Sequence, residues 1–244
     1  MERAFPDQII LNMARTSPLV RREWTRRGRA PVGYIMGMSA AFAMVYRKLR
    51  SADPVARAMA MAETGNPAKD ALTWCRPLFF LNGMSNGESG ADTLRHLFVF
   101  MVGLGMRESS GWSGAGLDKD ANKDGKHPPT ALNAEAGLFQ VSYSSIGANS
   151  LLRKLFQDYR GRTDLQAVFS RGNRRAASPN VGAGSGAAFQ HLMKTCPAFA
   201  VQYTGVALRW NRRHWGPVNR RTVDVSPHCD ELLHRVQDHV DCFG

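Results

Sequence analysis

The strongest constraint on this chain is a run of apolar residues over 94–106, broken only by Arg95, His96 and Gly103. A helix that is apolar nearly all round has no face to give to water, so other elements must enclose it. That places it at the centre of the fold. The rest of the chain is written at helical period almost throughout. A helix is expected over 31–49, with Pro31 suited to a first turn. Asp53-Pro54 opens another through residue 62, ending at Gly65-Asn66-Pro67. A third covers 69–81 and carries Trp74, Phe79 and Phe80. Beyond the central helix, which Asp92 or Thr93 can cap, further helices are expected over 150–159, 163–170, 187–194, 197–213 and 230–240. The expected fold class is mainly α.

Residues 82–90 (Asn-Gly-Met-Ser-Asn-Gly-Glu-Ser-Gly) are dense in turn formers and mark a candidate boundary. It divides an N-terminal helical extension, 1–90, from a main domain, 91–244. Alternatively, the first 90 residues are a helical cap that completes one core. The apolar stretch over 32–46 is about 15 residues, shorter than the ~20 that a bilayer span requires, and reads as a buried helix. Residues 1–20 are too polar for a signal segment. The Gly-rich stretch 180–186 lacks the Lys-Ser/Thr ending of a phosphate loop. Cys75, Cys196, Cys229 and Cys242 form no Cys-x-x-Cys pair, which argues against a zinc ribbon. One or two disulfides and four free thiols both remain open.

Thirty-two Lys and Arg against 20 acidic residues give a net charge of +12. Such a field attracts polyanions: nucleic acid, anionic membrane surfaces or anionic wall polymers. No nucleic-acid module accompanies the charge, so no nucleic-acid partner is expected.

Glu108 is the first candidate for chemistry. It ends the central helix, beside Met106 and Trp112, where burial and the helix dipole both disfavour its negative charge. Cleaving a glycosidic bond needs a carboxylic acid still protonated near neutral pH. Arg107-Glu108-Ser109-Ser110-Gly111, followed by Gly137-Leu138-Phe139-Gln140-Val141, resembles the Glu-Ser and Gly-Leu-Met-Gln motifs of soluble lytic transglycosylases and goose-type lysozymes. Phe139 stands where that superfamily has methionine. The resemblance implies a lysozyme-like helical catalytic core over 91–244 that cuts peptidoglycan glycan strands. Glu108 would be its acid and base, Ser109 a residue orienting the substrate, and Gln140 a groove residue. Tyr143 would stack on a sugar ring. The superfamily's third motif, Ala-Tyr-Asn, is less clear, and Tyr203 or Trp210-Asn211 would fill the tyrosine's place. His214-Trp215 precedes a Gly-Pro turn and is expected to face the groove.

The second carboxylate decides the reaction. Lytic transglycosylases use one glutamate and return the sugar's own C6 hydroxyl to the anomeric carbon. A lysozyme- or chitosanase-type hydrolase wants a second carboxylate, for which Glu135 is the candidate, with the acids of 118–124 as further options. Asp120, Asn122 and Asp124 read as the first half of an EF-hand loop, but its twelfth position is Ala131. A solvated insertion is the preferred reading, calcium the alternative, and no other cofactor is expected. A third reading keeps the core but makes the protein an inactive, basic wall- or polyanion-binding module. Peptidoglycan as partner would place the protein in the cell envelope or outside the cell, by an export route the sequence does not display. The oligomeric state is not legible.

Overall fold

A computed structural model describes residues 7–117, 128–173 and 175–243, so the calcium candidates Asp120, Asn122 and Asp124 lie outside the described residues. Among the described residues the fold is mainly helical, with two short strands. Helix α1 (Gln8–Thr16) is capped by Asp7, whose side chain accepts from Ile9 N. Strands β1 (Glu23–Trp24) and β2 (Gly28–Arg29) then pair as a tight antiparallel hairpin. Helix α2 (Val32–Arg50) follows, then α3 (Pro54–Met59), α4 (Ala71–Trp74) and α5 (Arg76–Phe80). The central helix α6 (Ala91–Ser109) precedes α7 (Ser150–Asp158), α8 (Gln166–Phe169), α9 (Gly184–Thr195), α10 (Pro197–Trp210), α11 (Gly216–Asn219) and α12 (Pro227–Phe243).

Every residue of α6 from Thr93 to Met106 is buried, as an all-round apolar helix requires. The helix starts earlier than its sequence caps suggest. Gly90, at φ +145°, stands at its N-cap, and Asp92 lies inside the first turn, where it accepts from Arg95 at 2.7 Å. The stretch 69–81 splits into α4 and α5. Pro77 lacks an N–H and crowds the carbonyl four residues back, so the helix cannot run through Cys75. Pro31 is the N-cap of α2, just outside its first turn.

One continuous cluster of buried side chains runs from Ile10 to Val240. Helix α2 packs on α1, α6, α8 and α12, and α10 packs on α3, α7 and α9. The boundary at 90/91 therefore separates no two cores: residues 7–90 cap and complete a shared one. Tyr34 on α2 shows how closely. It is wholly buried, and its phenol donates to Val102 O at 2.8 Å. Its hydroxyl fills the space at Gly105, where a Cβ would come within 2.3 Å of it, so α6 keeps a glycine there despite the cost of about 1 kcal/mol. All four cysteines are free thiols, three of them buried. Among the described residues no helix is long and apolar enough to cross a membrane.

Candidate active site

Helix α6 ends abruptly at Ser110, which takes the left-handed conformation (φ +54°) while Gly111 N donates back to Gly105 O at 3.1 Å. That stop leaves Glu108 in the last turn, half-buried. Facing it is a tight turn in which Ala136 and Val141 pair as an antiparallel bridge, with N–O distances of 3.1 and 3.2 Å. The loop between them, Gly137-Leu138-Phe139-Gln140, reverses the chain through two left-handed residues, Gly137 (φ +76°) and Gln140 (φ +48°). Only glycine fits at 137, since a Cβ there would meet Met193 O at 2.6 Å. The turn is thus pressed onto α9, with Leu138 and Phe139 wholly buried.

Three consecutive carbonyls of this turn are claimed by side chains from elsewhere. Ser109 Oγ donates to Leu138 O at 2.8 Å, and Trp215 Nε1 to Phe139 O at 2.8 Å. His214 Nε2 lies 3.1 Å from Gln140 O, and because a carbonyl only accepts, that nitrogen carries the hydrogen. The segments 107–111, 135–141 and 214–215 are thereby bolted into one unit. Burial holds His214 below its ordinary value, so its ring is neutral at neutral pH. Its Nε2 also stands 3.8 Å from Glu135 Oε1.

Burial pushes the Glu108 carboxyl from an ordinary 4.5 up to about 7, and the negative charge of Glu135 adds to the rise. Arg27, Arg220 and Arg107 act against it. Glu135 is therefore near enough for each carboxylate to feel the other, and the sequence candidates Glu108, Glu135, Gln140 and His214 come together in one site.

No family, curated protein or solved structure matches this chain.

Several expected groove residues are placed otherwise. The Ser109 hydroxyl, 3.1 Å from Gly105 O as well as bonded to Leu138 O, anchors the turn and is not left to orient a substrate. Trp215 is 1% exposed, and its indole supports the turn from inside, where it offers no face to a sugar. Tyr203 is wholly enclosed between Phe189 and Phe199, with its hydroxyl 2.9 Å from Ser145 Oγ. Trp210 lies in a hollow with Leu49, Met61, Gly90 and Leu151. Gly90 precedes α6, and Glu108 lies eighteen residues on, about 27 Å along the helix at ~1.5 Å per residue. Trp210 therefore lies far from Glu108, and Tyr203, wholly buried, offers no face to a sugar. Tyr143 is half-buried and packs edge-on against Phe156 and Phe189, so it is largely an aromatic-core residue. The Gln140 amide turns inward and donates to Gly137 O at 3.0 Å. Among the described residues, no group of three or more His, Cys, Asp or Glu could hold a metal ion.

Sequence reasoning missed Tyr34, which underlies the end of α6, and the arginines Arg27 and Arg220. Tyr34 sits in an apolar helix with no distinguishing neighbour. Arg27 is one of five arginines between 21 and 29. Nothing in either stretch points to Glu108.

Proposed function

We propose that this protein cleaves β-1,4 glycosidic bonds in peptidoglycan glycan strands, with Glu108 as the acid, on a lysozyme-like helical core. The observation that carries the reading is the Glu108 carboxyl, half-buried at a helix C-terminus beside a second carboxylate and raised to about 7. Such a group is protonated often enough near neutral pH to give a proton to the leaving glycosidic oxygen as the C1–O bond breaks. It is also acidic enough to act as a base afterwards. In the transglycosylase route the ionised Glu108 takes the proton of the sugar's C6 hydroxyl as that oxygen attacks C1. The product is a 1,6-anhydro sugar, and no water is consumed.

Glu135 supports a second reading. Its charge acts on Glu108, and it could activate a water on the opposite side of the bond, as in a hydrolase. The two routes differ in mass: hydrolysis adds one water, and transglycosylation does not. Mass spectrometry of digested glycan strands from the wild type, Glu108→Gln and Glu135→Gln tests both. Release of fragments by the wild type and none by Glu108→Gln is expected, with anhydro ends if Glu135→Gln stays active. Undiminished release by Glu108→Gln overturns the enzymatic reading and leaves a basic polyanion-binding protein.

A further inference from the structure

His214 has two ring nitrogens, and the fold commits only one of them. Nε2 donates to Gln140 O at 3.1 Å, and in a neutral ring that leaves Nδ1 as a lone-pair acceptor. The ring is held in place as well as in tautomer. It stands edge-on to Trp215, with 4.9 Å between centroids and 88° between planes, and Trp215 is itself anchored on Phe139 O at 2.8 Å. Gln140 belongs to the same four-residue loop as Leu138, whose carbonyl takes Ser109, the neighbour of Glu108. The imidazole is therefore fixed against the turn that faces Glu108.

The side chain of His214 is only 13% exposed, and where that exposure falls matters. Among the described residues Nδ1 has no hydrogen-bond partner. It is nevertheless not one of the polar atoms sealed away from solvent without a partner, which are Arg22 Nε, Trp24 Nε1, Thr204 Oγ1 and Asp224 Oδ2. The small part of the ring that meets solvent therefore includes its uncommitted acceptor. Burial keeps the ring neutral near neutral pH, and the carboxylate that faces it, Glu135, stands 3.8 Å from Nε2, the nitrogen already in use. An enclosed, oriented ring with one open lone pair suits a ligand that brings a donor. A glycan strand brings donors at every sugar, as hydroxyls and, on amino sugars, as acetamido N–H groups.

We propose that His214 is a substrate-binding residue whose Nδ1 accepts a hydrogen bond from a donor on the sugar seated against the 137–140 turn. This rests on the reading of Glu108 as the acid of a glycan-cleaving site. One ring then has two tasks: Nε2 holds the turn, and Nδ1 holds the strand. The sugar is thereby placed relative to the turn and, through the bond from Ser109 to Leu138 O, relative to the end of the helix that carries Glu108.

Two substitutions separate the two nitrogens. A glutamine amide can put an N–H near the place of Nε2 and nothing at Nδ1, whereas an asparagine carbonyl can stand near the place of Nδ1 and leaves Gln140 O without its donor. The test measures equilibrium binding to the full chain carrying Glu108→Gln, which holds the ligand without cutting it. The ligands are a short β-1,4-linked oligosaccharide of N-acetylglucosamine and its analogue with acetoxy groups in place of acetamido groups. Adding His214→Gln is expected to weaken binding about two- to tenfold, as the loss of one hydrogen bond does, with the unfolding midpoint unchanged. Adding His214→Asn should lower the midpoint and keep more of the affinity than His214→Gln does. A loss confined to the acetamido ligand assigns the amide N–H as the donor, and an equal loss on both assigns a hydroxyl. If His214 only holds the turn, His214→Gln binds both ligands as its parent does, which overturns the proposal, as does a parent that binds neither. Cleavage surviving Glu108→Gln sinks the catalytic reading alone, whereas unchanged affinity in His214→Gln sinks the binding role alone.

Discussion

Asp70 and Glu108 are both carboxylates at helix ends, and their surroundings are opposite. Asp70 is wholly buried at the N-cap of α4, where backbone N–H groups point outward and favour negative charge. It accepts from Thr64 N, Leu72 N and Thr73 Oγ1, and from Arg209 through Nε at 2.9 Å and Nη2 at 3.2 Å. Glu108 stands in the last turn of α6, where carbonyls point outward and disfavour it. Among the described residues no donor hydrogen-bonds it. One carboxylate is saturated with donors and can only be structural. The other is left short of them, so its proton can move.

Breaking the saturated site should have the largest effect on stability. Arg209 is itself fully buried and also donates to Met59 O and Ala62 O. Arg209→Met leaves Asp70 enclosed without its cation and is expected to cost about 3–5 kcal/mol in a denaturant titration. A loss below about 1 kcal/mol would mean that water reaches Asp70.

The unsaturated site should respond in activity. Glu108→Gln removes the proton donor and is expected to lower kcat by about 10²–10⁴-fold with KM little changed. In the wild type, activity should fall as pH rises through about 7, because the acid form is then lost. A profile flat from pH 5 to 9 would rule out Glu108 as the rate-determining acid.

Stability gives the sharper contrast. The folded-state value of Glu108 lies above its unfolded one, so the fold favours the protonated form. Below the ordinary 4.5 both states carry the proton and no penalty exists; the penalty grows as pH rises and is complete above about 7. Glu108→Gln should therefore stabilise the protein at pH 8 by roughly 1–3 kcal/mol, allowing for its partial exposure, and by nothing at pH 4. Removing the carboxylate of Glu108 should thus strengthen the fold, while removing the Arg209 partner of Asp70 weakens it.

How much of this was legible in the sequence follows the same division. The burial of α6 could be read from its composition, since no polar face existed to expose. The place of Glu108 at the end of that helix was legible too, whereas the reversal at Gly137 was not. What the structure adds is where Ser109, His214 and Trp215 point. Each bonds to a backbone carbonyl of the turn, 29 to 76 residues away in sequence. A carbonyl has no residue identity, so no motif announces it as a partner. Aromatic and polar residues near Glu108, expected from the sequence to face a sugar, thus hold the scaffold. Helix α1 was hidden for a related reason: its arginine-rich surroundings masked a short amphipathic stretch that Asp7 caps.

The smallest effect tests that scaffold reading at Ser109. Its hydroxyl is bonded within the protein, to Leu138 O at 2.8 Å, across the seam that joins the end of α6 to the turn facing Glu108. Ser109→Ala should destabilise by about 1 kcal/mol, the usual worth of one such bond, because Leu138 O loses its donor. The turn is still held by Trp215 and His214, so it should loosen and not detach. A few-fold fall in kcat with KM unchanged is then expected. If Ser109 instead touched the substrate, the variant would keep full stability and lose affinity. Measuring the unfolding midpoint and KM on the same preparation separates these, since a bond inside the scaffold moves the first and a bond to the sugar moves the second.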